Sequence, residues 1–276
     1  MIDSREFWTT LWRFASAPDD EIRDAPAAAL AVLDELTSPR FALLMSAVNL
    51  FAAEHGLRVF TNWSKIWEYP WLWFNGLSSR LTPGARLIDI GSEISPLPWL
   101  FALVGVRVTL IERDAQWVPT WERLNRQLGV DVDWCVVSDE RLPILDATAD
   151  IVTSFSVIEH QPDKRLALDE IARILRPGGL LALSFDVCEP SMGMTFPEWN
   201  GRALTLREFE AVVWSHPAFA TSPPPSWNLE ACERFLAWHR LSAAHHNYVV
   251  GAATLTRSSE TKADGAPDVR LAARPS

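Results

Sequence analysis

An apolar run, Leu87 to Ile90, leads into Asp89-x-Gly91-x-Glu93-x-Ser95, and a second such run ends at Glu112, roughly twenty residues further on. In a dinucleotide fold an acid at that second place meets ribose hydroxyls, and glycines in the first loop let backbone approach a pyrophosphate. Only Gly91 stands where such a loop wants three glycines. Glu93 beside a pyrophosphate would cost on the order of several kcal/mol of repulsion at reduced dielectric. A ligand with an ammonium and a sulfonium in place of phosphates suits Asp89 and Glu93, which points to adenosine carrying an amino acid.

Further along stand Asp139 with Glu140, Arg141 and Leu142-Pro143, then Ser154-Phe155-Ser156, then Glu159-His160. A histidine titrating near neutrality can take a proton from a hydroxyl, which makes His160 the catalytic candidate; packing or hydrogen bonding within its loop is the plainer alternative. His245 and His246 are adjacent and cannot turn both rings to one metal without a bend, and no carboxylate lies at ligand spacing, so no metal is expected. His216, before Pro217, reads as surface.

These residues need elements to hold them. Short β-rich runs at 87–90, 106–111, 132–136, 151–154, 180–185 and 248–256 alternate with helical spacing at 96–103, 119–128, 164–175, 206–214 and 229–241. That alternation predicts an α/β fold with a doubly wound, mostly parallel sheet and a binding crevice at the carboxyl ends of its strands. Before residue 82 the pattern is helical: Phe7, Leu11 and Phe14; Leu30, Leu33 and Leu36; Phe41, Leu44, Val48 and Phe51, stopped by Gly56. Residues 61–81 read as a helix and turn broken at Pro70. The expected organisation is a Trp-rich helical cap over 1–81, a core domain over 82–256 and a disordered tail over 257–276.

A chain of 276 residues, 48% hydrophobic, buries a full core. Its formal charge of -10, with no basic cluster, argues against nucleic acid and anionic membrane surfaces as partners. The start MIDSREF is acidic where a signal peptide is basic, and the apolar runs are short, so a cytoplasmic protein is expected. Three scattered cysteines make no disulfide or zinc pattern. Tryptophan is in excess, 14 against two tyrosines, and Trp8, Trp12, Trp63, Trp67, Trp71 and Trp73 all precede residue 80. Their helical spacing reads first as packing; an aromatic wall for a flat or isoprenoid acceptor is the functional alternative, shared with Trp199 in the segment after the fifth strand.

Taken together, residues 85–186 resemble the class I S-adenosylmethionine-dependent methyltransferases. The motifs stand in that family's order: Asp89-Ile90-Gly91, Glu112, Asp139 with Leu142-Pro143, Asp150-Ile151-Val152, Glu159-His160, and Arg173-Ile174-Leu175-Arg176-Pro177-Gly178-Gly179. The resemblance implies a seven-stranded Rossmann-like sheet whose last strand, near 248–256, is antiparallel. It also implies S-adenosylmethionine as cofactor. Asp89, Gly91, Glu93 and Ser95 would form its loop, Glu112 and Arg113 the ribose side, and Asp139 and Glu140 the adenine side. Ser154, Phe155 and Ser156 would meet the amino-acid part. The loop departs from the family at Glu93, where a second glycine is usual.

The function expected is transfer of a methyl group to a small-molecule acceptor, aromatic or isoprenoid and of secondary metabolism. A non-catalytic cofactor-binding relative and a protein methyltransferase are the alternatives. A short-chain oxidoreductase is excluded, because neither Tyr69 nor Tyr248 is followed four residues on by lysine.

Overall fold

The computed structural model describes residues 27–61, 63–138, 141–198, 201–220, 225–242 and 247–259, together with residues 6 and 10. The expectations placed on Phe7, Trp8, Leu11, Trp12, Phe14, Asp139, Glu140, Trp199, His245, His246 and the tail beyond residue 259 lie outside the described residues.

In chain order the elements are β1 (Ala28–Leu30), α1 (Leu33–Leu36), α2 (Pro39–His55), α3 (Trp63–Leu72), β2 (Arg86–Ile90), α4 (Leu97–Leu103), β3 (Arg107–Glu112), α5 (Val118–Leu128) and β4 (Asp133–Val136). They continue as β5 (Ala149–Phe155), α6 (Lys164–Ile174), β6 (Leu175–Val187), α7 (Leu206–Glu208, continued by a wider turn over Phe209–Trp214), β7 (Phe219–Ala220), α8 (Leu229–Ser242) and β8 (Val249–Arg257). The sheet runs β1-β8-β6-β5-β2-β3-β4, with β7 also paired to β8. β2 to β6 are parallel, while β8 is antiparallel to β6. From β2 the chain winds outward through β3 and β4, then returns to the other side of β2 as β5. The sheet therefore changes winding direction between β2 and β5, where a crevice opens at the strand ends.

The doubly wound reading holds, with eight strands instead of seven. The two strands beyond the six runs read from the sequence, β1 and β7, are short. Leu30 belongs to β1, which pairs antiparallel with β8, and not to a helix with Leu33 and Leu36. Three residues, Ala28-Ala29-Leu30, are too few to show a period, so the strand is fixed by its neighbour and not by its own pattern. Pro70 also departs from expectation, since it lies inside α3. The chain turns aside later, at Asn75 and Gly76, whose dihedrals leave the helical region, with Asn75 Nδ2 donating to the Trp71 carbonyl at 2.7 Å. Pro177-Gly178-Gly179 falls within β6 as a bulge: β5 advances two residues, Ala149 to Ile151, while β6 advances five, Leu175 to Leu180.

Trp67, Trp71 and Trp73 are fully buried, and α3 packs against β8 and β6. Each such ring removes 150–250 Å² from water, worth on the order of 4–6 kcal/mol before entropy is counted. Helix α3 is thereby fixed to the sheet, and its Lys65 and Tyr69 form one wall of the crevice. Trp67 stacks on Trp71 at 5.6 Å and its indole N–H donates to Glu35 Oε2 at 2.6 Å, so this ring is core and no wall for a ligand. Among the described residues no helix is long and apolar enough to cross a membrane.

Candidate active site

A cavity of about 370 Å³ opens at the carboxyl ends of β2, β3 and β5. It gathers Asp89, Gly91, Glu93, Ser95, Glu112, Arg113, Ser154, Phe155, Ser156 and His160, every described site residue that the sequence singled out. Ile111, Val137 and Leu142 add an apolar slot beyond Glu112.

The β2 loop explains its own composition. At Gly91, φ is +75°, and a Cβ built there would come 2.4 Å from Val157 Cγ2. Glycine is needed here so that the turn after β5 can close on the loop, a reason distinct from ligand approach. Glu93 sits at φ +42°, the left-handed region that glycine occupies freely, at a cost of roughly 1–2 kcal/mol. Three tethers hold it there. Its N–H donates to Glu112 Oε2 at 3.1 Å, its carbonyl accepts from the Trp121 indole at 2.7 Å, and its carboxylate pairs with Arg58 at 2.7 Å. The Arg58 pair is half-exposed and adds little by itself, so the two backbone bonds carry most of the compensation.

Glu112 ends β3 with its other oxygen, Oε1, accepting from the Arg113 N–H at 2.7 Å. Two backbone donors thus fix the carboxylate in the plane of the loop, and each oxygen retains acceptor capacity for a further donor. Arg113 itself reaches Gln161 at 3.4 Å. Asp89 is buried and accepts from Thr153 Oγ1 at 2.5 Å. Burial pushes its carboxyl up to about 6, against the lowering effect of the Ser92 and Thr153 hydroxyls; Glu112 raises it further and Lys65 lowers it. Ser95 Oγ meets the Tyr69 hydroxyl at 3.2 Å and accepts from the Leu97 N–H.

At the end of β5, Phe155 packs against Tyr69 with centroids 5.1 Å apart, and Ser156 adopts φ +55°. Ser156 Oγ accepts from Lys65 Nζ at 2.8 Å and donates to Glu68 Oε2 at 3.1 Å. Its hydroxyl is therefore committed to α3. Glu68 is completely buried, and Oε2 also accepts from Lys65 at 2.7 Å and Ser184 Oγ at 2.6 Å, leaving Oε1 without a partner. Behind this network lie Glu159 and Asp186. Burial raises both, Glu159 to about 7, and for Asp186 the neighbouring carboxyls of Glu159 and Glu68 add to it. Two carboxyls in such a place share protons, because neither is solvated enough to ionise beside the other. Among the described residues no group of three or more His, Cys, Asp or Glu is arranged to hold a metal ion.

His160 is exposed at the rim, its pKa lowered chiefly by partial burial and then by Lys164 and Lys65. Gly201 lies against it: a Cβ there would approach Glu159 O to 2.6 Å and His160 Nδ1 to 3.1 Å. The motif residues on α6 act at a distance. Arg173 bonds the carbonyls of Leu142 and Ile144 at 2.9 and 2.8 Å, and Glu170 accepts from the Leu142 N–H at 3.0 Å, so α6 holds the loop that carries Leu142 into the cavity.

Lys65, Glu68, Tyr69 and Ser184 were not singled out from sequence. One signal existed: Lys65 and Glu68, three apart, are the two charged residues of a mostly apolar and aromatic helix.

Residues 88–183 match the family model described as a methyltransferase domain. The ubiquinone biosynthesis O-methyltransferase of Xanthomonas axonopodis pv. citri is 36% identical over 110 residues, 39% of this chain and 46% of that protein. The 2-methyl-6-phytyl-1,4-hydroquinone methyltransferase of Synechocystis sp. is 30% identical over 162 residues, 55% of this chain and 46% of that protein. The matches thus span about half the length of these curated relatives. In fold, geranyl diphosphate methyltransferase in complex with SAM superposes with a TM-score of 0.52 at 16% identity, covering 84% of this chain and 98% of that one.

Proposed function

We propose that this chain, whose residues 88–183 belong to the class I S-adenosylmethionine-dependent methyltransferases, transfers a methyl group from S-adenosylmethionine to a small-molecule acceptor. The observation that carries the reading is the acid-lined, phosphate-averse loop: Glu93 stands in the left-handed position with its backbone tied to Glu112, directly beside buried Asp89. The residues present fit a ligand that is cationic at one end and a nucleoside at the other. Glu112 would accept from ribose hydroxyls, and Ile111, Val137 and Leu142 would enclose the base. Asp89 and the loop carbonyls would face the ammonium end.

When bound, the cofactor supplies a methyl group activated on sulfur. The chain's own task is to place an acceptor about 3 Å from that methyl and to exclude water, since positive charge disperses as transfer proceeds. For a hydroxyl acceptor, His160 would take the proton. Its lowered pKa keeps the ring neutral near pH 7, and its place at the rim lets the proton leave to solvent. An aromatic or isoprenoid acceptor is supported by the aromatic lining of Phe60, Tyr69 and Phe155 and by the two relatives, one named for ubiquinone biosynthesis and one for a phytyl hydroquinone. Incubation with methyl-labelled cofactor and a metabolite extract, read by mass spectrometry, tests the reading. Label in a small aromatic or prenylated product is expected; label appearing only in protein, or nowhere, would refute it.

A further inference from the structure

The cofactor of the proposed reaction carries a carboxylate, and the cavity that would receive it is rich in carboxyls. Asp89, Glu93 and Glu112 all line it. A carboxylate in this setting needs a cation, and among the described lining residues the permanent cations are Arg58, Lys65 and Arg113. Arg58 is half-exposed and paired with Glu93. Arg113 follows Glu112 on the nucleoside side and leans toward Gln161. Lys65 stands at the other end of the crevice, held to the end of β5 by Ser156. Ile90 of β2 pairs with Ser154 of β5, so Ser156, two residues further, lies level with the β2 loop.

The donor inventory of Lys65 is incomplete. An ammonium has three N–H donors. One is used by Glu68 at 2.7 Å and one by Ser156 at 2.8 Å, whereas the third has the Phe155 carbonyl at 3.5 Å, with the Tyr69 ring centroid 5.9 Å away. Its side chain is 14% exposed, while that of its partner Glu68 is 0% exposed, so the charge that can meet a ligand is the lysine's. The titratable groups within its reach are Glu68 and Tyr69 on the same helix, Asp89 from β2, Glu159 and His160 after β5, and Asp186 from β6. An incoming carboxylate finds little else to pair with there.

We propose that Lys65 is the residue that anchors the amino-acid carboxylate of the cofactor, so that helix α3, outside the matched methyltransferase segment, completes the binding site. The inference rests on the methyltransferase reading and adds a selectivity: adenosine ligands that keep the carboxylate are preferred to those that lack it. Glu68 and Ser156 are then positioning residues, which aim the ammonium and prevent it from folding back into the sheet.

Calorimetry on the full chain with two probes tests this: S-adenosylhomocysteine, and its decarboxylated analogue S-adenosyl-3-thiopropylamine. The wild type should bind the first roughly 10- to 100-fold more tightly, the range expected for a hydrogen bond to a charged group. Lys65→Met should bring the two dissociation constants within about threefold by weakening only the first, and Lys65→Arg should restore part of the difference. Because Lys65→Met leaves Glu68 buried without its counter-ion, Lys65→Met/Glu68→Gln serves as the variant in which folding is protected, with the same loss expected. Discrimination that survives in either variant, or equal weakening of both probes, would overturn the inference. A wild type that binds S-adenosylhomocysteine without discrimination would overturn it alone, whereas a wild type that binds neither probe would overturn the methyltransferase reading as well.

Discussion

Glu159→Gln offers a direct test of the buried carboxyls behind the site. Glu159 is 1% exposed, lies against the carboxyl of Asp186, and burial pushes its own carboxyl from the ordinary 4.5 up to about 7. Below pH 4.5 the group is protonated in folded and unfolded chains alike and costs nothing. Between 4.5 and 7 the unfolded chain releases the proton while the folded chain keeps it, so stability falls as pH rises; above 7 the full cost of a buried charge is borne. Two and a half pH units at about 1.4 kcal/mol each give about 3.5 kcal/mol. Glutamine has the shape of the protonated acid and cannot ionise. The variant should therefore match the wild type in urea denaturation at about pH 3.5 and exceed it by about 3.5 kcal/mol at pH 8, with Asp186 easier to ionise once its neighbour is neutral. Equal stability at pH 8, or a variant that is weaker there, would show that Glu159 is solvated or paired in the folded protein and would refute the reasoning.

Glu112→Ala should weaken S-adenosylhomocysteine binding by about 1.5–3 kcal/mol in calorimetry while the fold persists, because the lost carboxylate is both a ligand acceptor and the anchor for the Glu93 and Arg113 N–H groups. Gly91→Ala should destabilise the chain by about 2–4 kcal/mol in denaturant, and Val157→Ala in that background should recover part of the loss by removing the methyl groups that the new Cβ meets. If the acceptor is a hydroxyl, His160→Ala should lower single-turnover rates roughly a hundredfold with cofactor affinity unchanged; a wild-type rate would remove base catalysis at this position.

The β2, β5 and β6 strands were legible because most of their residues are buried and read as largely apolar runs. The acids at strand ends were legible because Asp89 and Glu112 interrupt those runs at the spacing a nucleoside site requires. Other features depend on partners remote in the chain. Lys65 and Ser156 are 91 residues apart, and Glu68 and Ser184 are 116 apart, so nothing local marks the helix as part of the site. β1 exists because β8 offers an edge, and Pro70 stays helical because the surrounding aromatic packing of α3 outweighs one missing hydrogen bond. Glu93, read from sequence as a departure from the glycine pattern, turns out to keep the glycine conformation and to pin it with neighbouring groups.

The central claim is that this crevice receives adenosine carrying a cationic amino acid and not a dinucleotide. Isothermal calorimetry of the full chain with S-adenosylhomocysteine and with NADH tests it most directly. Micromolar binding of S-adenosylhomocysteine with no measurable heat from NADH is the predicted result; micromolar binding of NADH with none of S-adenosylhomocysteine would contradict the account.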